Sequence, residues 1–378
     1  DPLIRDFRSL ILYNLETSGA VLTTDNQVKI YTDGQAKFEG LRTALRRASR
    51  FIHIQYYIIK NDEVFDSIVP ILEDKVREGV EVRILYDGMG GRFMPKRRWE
   101  ELRRAGILVG VFFPPILGWL NLRVNYRNHR KIVVIDGNVG FVGGFNIGRE
   151  YISKDPGFGY WRDTHLRITG EAVMSLQIRF ALDWNYATGE NLFKNEAYFR
   201  TDLKKKTDVR RDKERPAWPD PELEGSQVGM QIIASGPDTR EPHIRNNYLE
   251  LFHKAKHHIY IQTPYFVPDD AIFSALKMAA LSGVDVRLMI PCKPDHPFVY
   301  RATCSYAGEL LDYGAKVYIY TNGFLHSKGI MVDGRVCCYG TANMDIRSFE
   351  LNFEVNATIY DEAVTAELEQ EIELKNPN

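Results

Sequence analysis

Two periodicities alternate along the chain, and they do so twice. Apolar positions at helical spacing over residues 36–49 give way to the β-rich run Phe51-Ile52-His53-Ile54-Gln55-Tyr56-Tyr57-Ile58. A second helical pattern near 63–78 ends at Gly79 and feeds a strand pattern at 80–86. A third, around 96–105, ends at Gly106 and feeds 107–113. From about Gln231 the order recurs: helix at 246–257, strand at 259–262, helix at 269–281, strand at 284–290, helix at 306–313, strand at 315–320. Gly79-Val80-Glu81-Val82-Arg83 against Gly283-Val284-Asp285-Val286-Arg287 is the clearest echo. Strands alternating with helices predict α/β layers, with buried sheet flanked by helices, and the recurrence predicts one unit written twice.

The expected organisation is a helix-leaning lead-in at 1–27, a first lobe at 28–200, a linker at 201–227 and a second lobe at 228–378. The linker carries Lys204-Lys205-Lys206, then Arg210-Arg211-Asp212-Lys213-Glu214-Arg215-Pro216, Pro219 and Pro221. A solvated connector is the plainer reading, and a contact with anionic lipid headgroups the sharper one. The copies differ most in one place. From the helix-ending glycine to a histidine discussed below is 23 residues in the first copy (Gly106 to His129) and 12 in the second (Gly314 to His326). The extra residues fall around Pro114–Tyr126 and include Ile116-Leu117-Gly118-Trp119-Leu120-Asn121-Leu122. The uncharged run 105–122, broken by Pro114-Pro115, therefore reads as a strand and an inserted apolar loop, not as a bilayer-crossing helix.

Composition narrows the picture. Among 378 residues, 44% are hydrophobic and 26% charged, which describes a folded globular chain. The net charge of −1 supplies no global field for nucleic acid, so an anionic substrate must be held by local charge. Cys292, Cys304, Cys337 and Cys338 lack zinc-type spacing and read as reduced core residues on the cytoplasmic side. No signal peptide opens the chain.

The chemistry sits in a motif that also occurs twice. Asn128-His129-Arg130-Lys131-Ile132-Val133-Val134-Ile135-Asp136 leads to Gly143-Gly144-Phe145-Asn146. His326-Ser327-Lys328-Gly329-Ile330-Met331-Val332-Asp333 leads to Gly340-Thr341-Ala342-Asn343, with identical spacing 197 residues on. Side chains two apart in a strand share a face, so His129 with Lys131, and His326 with Lys328, each pair an imidazole with an ammonium. Asn146 and Asn343 follow small-residue turns, where Gly144 and Thr341 are candidates to bring backbone N–H groups to an anion. One copy is half a site, whereas two histidines, two lysines and two asparagines suit a phosphodiester. Asp136 and Asp333 have the opposite parity and are expected to support the fold through an ion pair or turn. His53, His165, His257 and His258 read as satisfied core histidines. Tyr57, Tyr265 and Phe266 fit either a substrate channel or core packing.

The doubled motif resembles the paired HKD motif of the phospholipase D superfamily. Asp295-His296-Pro297-Phe298-Val299-Tyr300 and the stretch Asn343–Asn352 resemble its bacterial cardiolipin synthases. The resemblance covers nearly the whole chain. It implies two phospholipase D-like α/β/α sandwich lobes with the active site between them. It also implies a metal- and cofactor-free reaction in which one histidine forms a phosphohistidine and the other works as acid and base. His129 is assigned the nucleophile and His326 the acid/base. An acid that orients each histidine is carried over to Asp163 in Trp161-Arg162-Asp163-Thr164-His165 and to Glu354 in Leu351-Asn352-Phe353-Glu354-Val355. The implied reaction joins two phosphatidylglycerol molecules into cardiolipin and glycerol on a bacterial membrane, with the catalytic part facing the cytoplasm. Membrane-spanning helices usual in such enzymes are not found in this chain. Leu117, Trp119 and Leu120, bounded by Arg123 and Arg127, have the make-up of an interfacial anchor toward an anionic membrane surface. Hydrolysis of phospholipid, a nuclease of the same superfamily and a non-catalytic lipid-binding protein are the competing readings. The balanced charge disfavours the nuclease, and no nucleic-acid partner is expected.

Overall fold

The computed structural model describes residues 2–114, 125–199 and 227–373. From its outer edge inward, the first half of the sheet runs Leu108–Phe112, Glu81–Asp87, Phe51–Tyr56, Ile132–Ile135, Val139–Gly143, Trp161–Thr169 and Thr23–Asp33. The second half runs Lys316–Tyr320, Asp285–Pro291, His258–Gln262, Gly329–Val332, Val336–Gly340, Asn352–Tyr360 and Val228–Ser235. The two orders are equivalent strand for strand. In each half the outer three strands are parallel and the rest antiparallel. The halves meet where Thr23–Asp33 pairs antiparallel with Val228–Ser235, which makes the sheet continuous.

The local causes are repeated as well. Gly79, Gly106, Gly283 and Gly314 stand at φ 87°, 91°, 92° and 92°, the left-handed geometry that ends a helix and turns the chain into a parallel strand. The Asp62 carboxylate caps Val64 N–H at 3.1 Å, and at the equivalent place in the second half Asp269 caps Ile272 N–H at 2.9 Å. Asp136 and Asp333 occupy tight turns at φ 56° and 55°. Asp136 accepts from the backbone N–H groups of Ser49, Arg50 and Phe51 at 2.8, 2.8 and 2.9 Å. Asp333 accepts from those of Lys256, His257 and His258, each at 2.8 Å. These motif aspartates thus pin the entry to a neighbouring strand.

Several expectations are corrected. The helical stretch at 63–78 is two helices, Glu63–Asp66 and Val69–Arg77, because Pro70 lacks an N–H and fits only a first turn. The helix expected at 306–313 is Pro297–Leu311, again opened by a proline. A boundary at 27/28 would cut the strand Thr23–Asp33. The lead-in helix Arg8–Ser18 packs on the second half, where Leu10 and Ile11 join Tyr248 and Leu251 in one core and Asn14 Nδ2 donates to Asn247 Oδ1 at 2.9 Å. A central core, with Leu176 and Phe180 of helix Ala172–Thr188 against Met230, Val355 and Ala357, draws on both halves. All four cysteines are free, and only Cys337 and Cys338 are fully buried, while Cys304 is exposed. His257 is exposed, His258 is half-buried and bonded to Glu369 at 2.7 Å, and buried His165 has no partner for either ring nitrogen. The 114–126 insertion (nearly all of it, with Leu117, Trp119, Leu120 and Arg123) and the linker lie outside the described residues. Among the described residues no helix is long and apolar enough to cross a membrane.

Candidate active site

Neither His129-Arg130-Lys131 nor His326-Ser327-Lys328 lies within a strand; each bridges two short ones. The reason is a crossing. Arg127–Asn128 pairs in parallel with Asn352–Phe353 of the other half, and His129 N–H donates to Phe353 O at 2.9 Å. Reciprocally, Phe324–Leu325 pairs with Trp161–Arg162, and His326 N–H donates to Arg162 O at 2.7 Å. Asp87 holds the first crossing segment, with Oδ2 accepting from Asn128 N–H at 2.9 Å and Arg127 Nη1 3.4 Å from Oδ1.

The crossing hands each histidine to a carboxylate of the opposite half. His129 Nδ1 lies 3.0 Å from both oxygens of Glu354, and His326 Nδ1 lies 2.5 Å from Asp163 Oδ2. With Nδ1–H committed to the carboxylate, Nε2 of each ring is left for chemistry. Both acids are fully buried. Gly144 makes room for one of them, since a Cβ there would stand 1.9 Å from Asp163 Oδ1. Tyr57 packs edge-on against His129 at 5.1 Å, and Trp161 lies 4.9 Å from His326, fixing the rings from the other side.

The lysines stay close to their histidines despite the loss of strand geometry. Lys131 Nζ donates to His129 O at 2.6 Å; Lys328 Nζ donates to His326 O and lies 2.7 Å from His326 Nδ1 and 3.7 Å from Asp163. Since Nδ1–H points at Asp163, the ammonium's protons belong to the carbonyl and carboxylate. Burial pushes Lys131 down to about 7 and Lys328 to about 8, against the pull of Glu354 and Asp163. Burial and then the Lys328 charge push His326 down to about 4, and burial also lowers His129. Burial alone would raise both acids, yet the ammonium and imidazole groups beside them leave Asp163 and Glu354 below the usual carboxylate range.

His129 and His326, with the lysines and acids buried behind them, line a cavity of about 670 Å³ that also receives Asn146, Asn343, Tyr151, Tyr265 and Asp295. The asparagines differ. Asn146 is held at both ends, Nδ2 donating to the Tyr151 hydroxyl at 3.0 Å and Oδ1 accepting from Ile58 N–H at 3.1 Å. Tyr151, having accepted from Asn146, keeps its own O–H for a group in the cavity. Asn343 Oδ1 is buried without a partner. The expected phosphate cradle is corrected: Gly144 N–H is spent on Thr164 O at 2.9 Å, and Thr341 N–H on Val355 O at 3.0 Å and Asn356 Oδ1 at 3.1 Å. Phe266 is core, whereas Tyr57 and Tyr265 line the cavity.

Sequence reasoning also missed Arg130. Almost fully buried, it joins the halves, donating to Asp183 at 2.7 Å and to the carbonyls of Ser235 and Glu354 at 3.0 and 3.1 Å. Its position between His and Lys, on the face away from them, was the available signal.

Two halves of one topology that each deliver a histidine, backed by a buried lysine, to a shared cleft define the phospholipase D-like class. The fold agrees with solved structures of phosphatidylserine synthase from Haemophilus influenzae Rd KW20 (TM-score 0.67, 16% identity, 99% of this chain and 90% of that one) and polyphosphate kinase from Porphyromonas gingivalis (TM-score 0.57, 14% identity, 93% and 47%). Within that class, residues 41–158 and 248–375 match the family described as cardiolipin synthase, PLD-like domain, and the chain belongs to it. It is 47% identical over 372 residues to the cardiolipin synthase of Oceanobacillus iheyensis, covering 98% of this chain and 73% of that protein. It is 51% identical over 365 residues to that of Staphylococcus aureus, covering 96% and 70%.

Proposed function

We propose that the chain joins two phosphatidylglycerol molecules into cardiolipin and glycerol, with His129 as nucleophile and His326 as acid and base. The observation that carries the reading is the reciprocal pairing His129–Glu354 and His326–Asp163 across the two halves. His129 Nε2 attacks phosphorus of the first lipid, the bond to its glycerol oxygen breaks, and that oxygen takes the proton from His326 Nε2. A hydroxyl of the second lipid then gives its proton to His326 while its oxygen attacks phosphorus and the P–N bond breaks. Lys131, Lys328, Tyr151 and the Asn343 amide serve the non-bridging oxygens, with Asn146 aligning Tyr151. The shorter carboxylate bond, 2.5 Å on His326 against 3.0 Å on His129, favours His326 as the ring that carries the extra proton. Its low pKa in the protein alone fits this role once a phosphodiester monoanion stands between the rings and raises all four cationic groups.

Leu117, Trp119 and Leu120 are proposed to meet the bilayer surface, placing the cleft against lipid at the cytoplasmic face and away from competing water. Phosphatidylglycerol vesicles incubated with the protein in chelator, with products read by mass spectrometry, test the reading. Cardiolipin and glycerol, absent with His129→Ala and with His326→Ala, are expected. Phosphatidic acid as the sole product would make water the acceptor and refute the transfer.

A further inference from the structure

The cavity lining carries charges of both signs, and Asp345 and the unpartnered Asn352 Oδ1 also face it near Glu354. Arg127 and Arg347 line its His129 side, and Arg347 Nη2 donates to Asn125 O at 3.0 Å, next to the first crossing segment. On the His326 side stands Asp295, which acts on both His326 and Lys328, and the Tyr265 hydroxyl donates to its Oδ2. No Lys, Arg or His side chain is paired with Asp295 among the described residues. Asn343 Oδ1, another acceptor of this cavity, is buried and unpartnered. A half-buried carboxylate and an orphaned amide oxygen repel phosphate oxygens and require hydrogen-bond donors.

On the reading of the site as a phosphatidyl transferase, we propose that Asp295, steadied by Tyr265, is the subsite for the alcohol that leaves and the alcohol that enters, and that it selects a polyol. Hydroxyls that are not reacting donate to Asp295 Oδ1 and Asn343 Oδ1. The reacting hydroxyl is thereby turned toward His326 Nε2, which gives it a proton on departure and takes one on entry. Leaving and entering groups use the same end of the cleft because they exchange protons with the same ring. The Arg127 and Arg347 side is left to the phosphatidyl portion that stays on the enzyme.

Competition between acceptors tests this. Phosphatidylglycerol vesicles are incubated with equal concentrations of deuterated glycerol and 1-propanol, and the ratio of labelled phosphatidylglycerol to phosphatidylpropanol is read by mass spectrometry. The ratio is internal to each reaction, so a general loss of rate does not move it. The full chain should favour glycerol at least tenfold, Asp295→Asn should bring the ratio below about threefold, and Tyr265→Phe should fall between. If Asp295→Asn does not fold, Tyr265→Phe alone decides, with an unchanged ratio counting against the subsite. An unchanged ratio in folded Asp295→Asn overturns the proposal, as does ethanolamine outcompeting glycerol in the unmodified chain, which would mark an ammonium site. Absence of any transfer, to either alcohol or between lipids, would instead strike the function proposed above.

Discussion

Replacing Asp163 by Asn removes one charge and little volume, which isolates what the carboxylate does for His326. The bond lost is 2.5 Å long, fully buried and made to Nδ1. A hydrogen bond with a charged partner contributes about 1.5–3 kcal/mol and a neutral one about 0.5–1.5, so orientation alone accounts for about 1 kcal/mol. Stabilisation of the imidazolium adds more. Unit charges about 4 Å apart attract by about 4 kcal/mol at an effective dielectric near 20. Part of this remains through the amide dipole, so a transition-state loss of about 3–5 kcal/mol is expected, or roughly 10²–10⁴ in kcat. The assay is the initial rate of cardiolipin formation from phosphatidylglycerol vesicles, with circular dichroism checking the fold. Without the carboxylate, His326 also holds its proton less well, so the pH range supporting the acid step should move downward. A folded Asp163→Asn protein within threefold of the unmodified rate would refute the role given to the pairing.

Gly144→Ala should push the Asp163 carboxylate off His326, because the new Cβ would meet its Oδ1 at 1.9 Å. A rate loss of at least tenfold and about 1–3 kcal/mol of destabilisation in urea titration are expected, and normal values for both would contradict the packing. Asp136→Ala deprives three backbone donors and the Ser49 hydroxyl of their acceptor. It should cost about 2–4 kcal/mol in the same titration while the folded fraction keeps its rate, so a selective loss of rate would place Asp136 in the chemistry. His258 is raised above its ordinary pKa chiefly by its bond to Glu369. Its contribution to stability is therefore full below about pH 6.5 and fades as pH climbs through the raised value. His258→Gln should flatten the melting temperature across that window, and an unaltered slope would count against the pair.

Much of the architecture was legible because the signals are local and occur twice. Helix-ending glycines and alternating strands appear at matching places in both copies, and the strand orders they produce are equivalent. Helix ends governed by proline were less legible, since Pro70 and Pro297 open helices where pattern alone suggested continuity or a loop. In the site, the histidines and lysines stood out by spacing and the acids through the family resemblance, but no spacing says that an acid of one half turns the histidine of the other. That follows from two short strands crossing between halves, which is tertiary structure. The backbone cradle expected at Gly144 and Thr341 failed for a related reason. Their N–H groups had unseen partners in the strands Trp161–Thr169 and Asn352–Tyr360. Asp295 was noticed only as part of a family-like stretch and Tyr151 not at all, because the place of each in the site is set by its neighbours in the folded chain.

The most direct test is to catch the enzyme between its two half-reactions. Phosphatidylglycerol mixed with the protein should be quenched in base within milliseconds, digested and mapped by mass spectrometry for a phosphatidyl group on histidine. The label is expected on His129 and lost with His129→Ala. A label on His326 would reverse the assigned roles. No label on either ring under conditions of steady turnover would contradict the covalent, paired-histidine account.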